Sequence, residues 1–301
     1  MVILGRLAAV VGVAAIAAVP PTPAPEAKIA IGAAGAFVAV AGGSVWADDP
    51  VLNRLVRIDP TENRVTARVR VGRNPLGIAS GAGSLWVANR SSSTVTRVSL
   101  KTRKVVRRIP VGFGAYGAAF GAGSVWITSE GDGLVRRIDP RRNQVVARIK
   151  GARRPNGVAV AFGAVWVADL GRGLVLGIDP ATNRVTNRIR VPAADWVTAS
   201  PDALWISSEN GTITRLDPAI RTVKAKIPVG KNPLASAWIG GELWVPCIDG
   251  DTVSIVDPAA NAVRKTLDVA DGPIAIAEAA GDVWVAHESG TVWRLSISAG
   301  R

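Results

Sequence analysis

The chain has a single histidine, His287, and a single cysteine, Cys247. Chemistry that needs a second imidazole or a second thiol is excluded: no intrachain disulfide, no cysteine-rich zinc site, no two-histidine centre. Nucleotide-binding glycine loops and serine-nucleophile elbows are also missing. His287 and the adjacent Glu288 are the candidate acid–base residues. Carboxylates are more plentiful. Asp49, Glu130, Asp169, Glu209, Asp249 and Glu288 each follow a tryptophan by three to five residues. If they converged, their oxygens would suit a hard cation such as Mg²⁺ or Ca²⁺; turns also favour Asp and Glu because they are solvated, so both readings stand. A last group is Tyr116, the only tyrosine, with Asn156, Asp195 and Trp196. Two aromatic plates flanking an amide pair apolar faces with polar edges, which suits a sugar or another flat ligand. Side chains that merely plug a channel mouth would look the same.

The elements that carry these residues repeat. Trp46, Trp86, Trp126, Trp166, Trp205, Trp244 and Trp284 recur every 39 or 40 residues, in phrases such as GGSVW, GAGSLW and GAGSVW. Ten or eleven residues later come RIDP at Arg57, RVSL at Arg97, RIDP at Arg137, then GIDP, RLDP and IVDP. A third phrase follows (NRVTARVRVG, NQVVARIKG), and a fourth begins at PLGIAS from Pro75. Each is a short apolar or alternating run bounded by turn residues, the signature of a strand. Asp-Pro suits a type I turn. Asn210-Gly211, Asp132-Gly133 and Asp249-Gly250 suit tight hairpins. Four short strands per 40 residues, repeated seven times, predict an all-β, seven-bladed propeller of four-stranded blades. Recurrence in every blade makes the tryptophans scaffold. Aligning the fourth phrases places Ala36, Leu76, Tyr116, Asn156, Trp196, Leu234 and Ile274 at one position, with Asp195 where other blades have proline. His287 alone is expected to be a polar loop residue, and Cys247 a small filler.

The ends predict how the ring closes. Residues 28–32 resemble an outermost strand, and the last repeat stops one strand short after WRLSIS, so the N-terminal strand should complete the seventh blade. Ahead of it, residues 1–24 resemble a signal peptide. Arg6 precedes an uncharged run from Leu7 to Val19, then a proline-rich linker. An uncleaved anchor is the alternative. The mature propeller would span residues 25–301 and be secreted or held at the cell envelope. The net charge of +13 lies largely on the outer strands, at Arg68, Arg70, Arg107, Arg108, Arg148, Lys150, Arg188, Arg190, Lys224 and Lys226. Charge there protects a free sheet edge, and a basic rim would also adhere to anionic cell-wall polymer. Nucleic acid is disfavoured, since no aromatic–basic motif accompanies the charge.

The phrases WVAN, VWVAD, RIDPATNRV, IPVGKNP and GSVWIT, over residues 28–301, resemble the bacterial YVTN/NHL-like propellers, including the virginiamycin B (streptogramin B) lyase-like group. That resemblance implies a magnesium-dependent carbon–oxygen lyase that opens a cyclic antibiotic by elimination. Its functional His and Glu would lie just after the tryptophans of the last blades. The residues here are Cys247, His287, Glu288 and Ser289, with one histidine for two roles. The sequence as a whole favours a non-enzymatic module, monomeric, binding a small molecule, sugar or protein on its channel face. The lyase-like activity and a scaffold adhering through its basic rim are the alternatives.

Overall fold

Each of the seven tryptophans lies on the second strand of a four-stranded antiparallel sheet, and the seven sheets form the blades of one ring. The computed structural model describes residues 24–35, 37–219 and 221–300, without the side chains of residues 299 and 300. The signal-peptide reading, apart from its last residue, and the aligned Ala36 lie outside the described residues. From channel to rim, blade 4 runs Pro155–Ala161, Ala164–Asp169, Leu174–Asp179 and Arg184–Arg190, and the other blades follow the same order. Among the described residues helix is confined to three short 3₁₀ turns, Arg90–Ser92, Ile248–Gly250 and Ile297–Gly300. Among the described residues no helix is long and apolar enough to cross a membrane.

The core sits between blades rather than within one. Trp86 of blade 2 packs with Val125 and Ile127 of blade 3, and Trp126 with Val165 and Val167 of blade 4. All seven rings are essentially fully buried, each removing roughly 150–250 Å² from water, a gross ~4–6 kcal/mol. Five indoles also donate to the end of their own inner strand, as Trp86 does to the Gly81 carbonyl at 3.1 Å and Trp284 to Ala279 at 3.1 Å.

The repeated arginine of the third strands fastens one blade to the next. Arg97 lies over the face of Trp86 and donates through Nη1 to the Pro140 carbonyl (2.7 Å) and Asn143 Oδ1 (2.8 Å) of blade 3. Arg137 and Arg215 make the same contacts to Pro180 and Asn183, and to Pro258 and Asn261. The asparagines close the Asp-Pro turns at positive φ, 54° for Asn143, a conformation that asparagine tolerates well among residues with a Cβ. Arg294 extends the series across the seam, from blade 7 to Pro60 and Asn63 of blade 1.

The ring closes as the ends predicted. Ala27–Ala30 pairs antiparallel with Thr291–Ser296 as the outermost strand of blade 7. It buries Ile29 there, with Ile31 just beyond.

Candidate functional site

The inner strands enter the channel through a β-bulge. Pro155 pairs with Asp169 and Val158 with Val167; Ala194 pairs with Ser208 and Trp196 with Ser207. The extra residue after each first pair is Leu76, Tyr116, Asn156, Asp195 or Ile274 in the respective blades. Bulges of this kind re-aim side chains. This register differs from the alignment of the phrases. Asp195, not Trp196, stands level with Tyr116 and Asn156. Trp196 sits one residue deeper, level with Gly117 and Gly157.

At that deeper level the ring is uneven. Gly77, Gly117 and Gly157 are forced by close approach, since a Cβ would lie 2.4 Å from the Tyr116 carbonyl, 2.4 Å from that of Asn156 and 2.6 Å from Trp196 Cα. Ala235 and Ala275 complete the small positions. Phe37 and Trp196 fill the space, stacked with centroids 5.0 Å apart and planes 28° apart. Tyr116 meets Phe37 edge-on at 6.1 Å. Leu76, Ile78 and Ile274 pack around this cluster. Phe37 was missed from sequence, although sliding GAFVAV under PLGIAS puts it beneath Gly77.

Over the plug lies a polar dyad. Asn156 Nδ2 donates to Asp195 Oδ1 at 2.5 Å, and both residues are almost wholly buried. Asn156 Oδ1 is buried without a hydrogen-bond partner among the described residues. Its backbone is fixed from blade 3, where Thr128 Oγ1 donates to the Asn156 carbonyl at 2.5 Å and accepts from Gly117 N at 2.8 Å. Burial, then the charges of Glu209 and Glu130, push the Asp195 carboxyl up to about 6, against the bond from Asn156 and the charge of Arg154. Burial, then Asp195 and Glu130, also push the Tyr116 phenol well above its usual range. Two ion pairs flank the dyad, Arg90 with Glu130 and Arg154 with Glu209 (3.6 Å). The dyad thus sets a buried amide oxygen beside a buried carboxyl, next to the aromatic cluster.

The remaining candidates are engaged separately. In blades 1, 2 and 4 the third residue after the tryptophan turns inward and fastens a loop. Asp49 accepts from Leu52 N and pairs with Arg54. Asn89 accepts from Gly72 N. Asp169 Oδ1 accepts from Arg153 N and Arg154 N. Glu130 and Glu209 face arginines, while Asp249 and Glu288 are exposed. No group of three or more His, Cys, Asp or Glu side chains that could hold one metal ion occurs among the described residues. His287 is fully buried, not a loop residue: Nδ1 donates to the Ala270 carbonyl at 3.0 Å, the ring packs on Trp293, and Nε2 is buried without a partner among the described residues. Burial holds its imidazole down to about 4, so it is neutral at pH 7. Cys247 is buried between blades 5 and 6, and burial raises its thiol. No reactive thiolate arises this way.

Among solved structures, the chain is similar to a chain of Kuenenia stuttgartiensis hydrazine synthase. The TM-score is 0.77 at 16% identity, with 95% of this chain and 99% of that one covered. At that identity the likeness shows the fold alone. No protein-family model matches the chain, and no curated protein matches it. The seven-bladed propeller is therefore common to both chains.

Proposed function

We propose that the chain is an exported, non-enzymatic binding module whose ligand enters the channel mouth at Tyr116, Asn156, Asp195 and Trp196, over Phe37. The observation that carries this reading is Asn156 Oδ1, an amide oxygen buried without a partner among the described residues, beside a buried carboxyl. Leaving such an acceptor unpaired costs about 1–3 kcal/mol, and a ligand hydroxyl or amino group would recover it. The aromatic cluster beneath supports a ligand with an apolar ring face. A sugar or amino sugar combines both features.

The test is calorimetric titration of the full chain with neutral and amino sugars, repeated on Asn156→Leu, Asp195→Asn and Trp196→Ala. Each substitution is expected to weaken binding about tenfold or more, the equivalent of one buried hydrogen bond or stacking face. Affinity unchanged in all three variants would remove the site. Magnesium with streptogramin B is the companion arm, and turnover there would replace this reading with the lyase-like one.

A further inference from the structure

The positive charge is not spread around the ring. From Arg54 to Arg190, the third strand of blade 1 through the outer strand of blade 4, the chain carries 25 Lys and Arg against 7 Asp and Glu, net +18. Residues 191–300 carry 8 against 13, net −5. Closed into a ring, the propeller has one strongly basic side and one mildly acidic side. Edge protection does not account for this, because the outer strands of blades 5 to 7 have the same free edge and could use either sign.

The basic side is built on the four outer strands Arg64–Arg70, Val105–Pro110, Gln144–Ile149 and Arg184–Arg190. Arg68, Arg70, Arg107, Arg108, Arg148, Arg188 and Arg190 are exposed there. None of these seven is in ion-pair contact with a carboxylate among the described residues. Between the outer strands of blades 2 and 3 lies an open groove lined by Arg107, Arg108, Arg148, Asn143 and Gln144, with no acidic residue in its wall.

From this we infer that the outer edge of blades 1 to 4 is a docking surface for a flexible phosphodiester polymer without bases, laid along the rim and seated in the Arg107–Arg108–Arg148 groove. Arginine's planar fork matches the two non-bridging oxygens of a phosphodiester. The arc follows the curved rim of a disc, which a flexible chain can track and a flat lipid surface cannot. Its four strands carry no aromatic residue on which a base could stack. The inference is independent of the channel-mouth reading, which concerns another face.

The experiment measures binding of poly(glycerol phosphate) to the full chain over a range of salt concentrations. Duplex DNA and anionic phospholipid vesicles are run at equal charge. Arg107→Gln/Arg108→Gln/Arg148→Gln is compared with the charge-matched Lys224→Gln/Lys226→Gln/Lys265→Gln on blades 5 and 6, after thermal melts show that both variants fold. The expected result is salt-sensitive binding of the polymer, a loss of about tenfold or more with a shallower salt dependence in the arginine variant, and a change within about twofold in the lysine variant. Equal losses in the two variants would reduce the surface to net charge and overturn the arc. Tighter binding of DNA or of vesicles would overturn the partner, and no binding of the polymer would overturn both.

Discussion

At the scale of single residues, two buried titratable groups pull stability in opposite directions. Asp195 titrates in the fold at about 6 against an ordinary 3.8. The fold therefore favours its protonated form, and that stability is present at low pH and lost as pH rises through 6. His287 titrates at about 4 against 6.5. The stability from keeping it neutral is present above 6.5 and lost as pH falls through 4. Each shift corresponds to roughly 3 kcal/mol, so between pH 4 and 6 the two slopes largely cancel. Asp195→Asn keeps the bond from Asn156 and removes one slope. It should be more stable than the parent by roughly 3 kcal/mol at pH 7.5, and should lose stability steadily from pH 6.5 to 4. His287→Asn, which can still donate to Ala270, should instead gain stability as pH falls from 6 to 4. Urea midpoints across this range decide it, and a profile unchanged by Asp195→Asn would show that this carboxyl is not held up by burial. A variant that gains stability and loses ligand would mark Asp195 as a residue kept for function at the expense of the fold.

At the scale of elements, the third strands do more than continue the sheet. Arg97, Arg137, Arg215 and Arg294 each cover their own blade's tryptophan and grip the Asp-Pro turn of the next. A lysine cannot cover a ring and hold two acceptors with one planar group. Arg137→Lys should therefore destabilise by about 1–2 kcal/mol, and Asn183→Ala by a similar amount, since it loses the acceptor and strains a positive φ. Arg57, whose Nη1 bonds Thr66 within its own blade, should tolerate Lys at less than half that cost. Guanidinium chloride unfolding of the three variants separates the cases, and equal costs at Arg57 and Arg137 would deny the clamp. The RIDP phrases are plain in the sequence, yet they suggested only a turn. That the arginine reaches a turn 43 residues away needs neighbouring blades at a fixed angle.

At the scale of the molecule, closure holds the ring together. Ala27–Ala30 fills the last edge, Ile29 and Ile31 enter the core between blades 7 and 1, and Arg294 spans the same seam. Deleting residues 25–32 takes the two isoleucines out of the core, ~2 kcal/mol or more each, uncovers the Val292 and Trp284 side chains they pack on, and reopens a strand edge. The melting temperature should fall by about 10 °C, and an unchanged melt would disprove closure through this strand.

Period, strand count, fold class and the pairing of the ends were determined by the sequence alone, because strand alternation and turn chemistry are local and here are written seven times. Aligning the inner strands on their proline misplaced Trp196 by one residue, since blade 5 has no proline there; counting ten residues back from each tryptophan puts Asp195 level with Tyr116 and Asn156. The local signals also left His287 in a loop and the carboxylates undecided between a converging site and solvated turns, because which way a side chain turns at the end of a strand depends on the loop packed above it. The tertiary structure alone decided that Phe37 stacks on Trp196 from across the ring, that Asn156 bonds Asp195, and that a basic stretch of chain becomes one side of a disc. All three depend on residues far apart in sequence, brought together by the angle between blades and the closing of the ring.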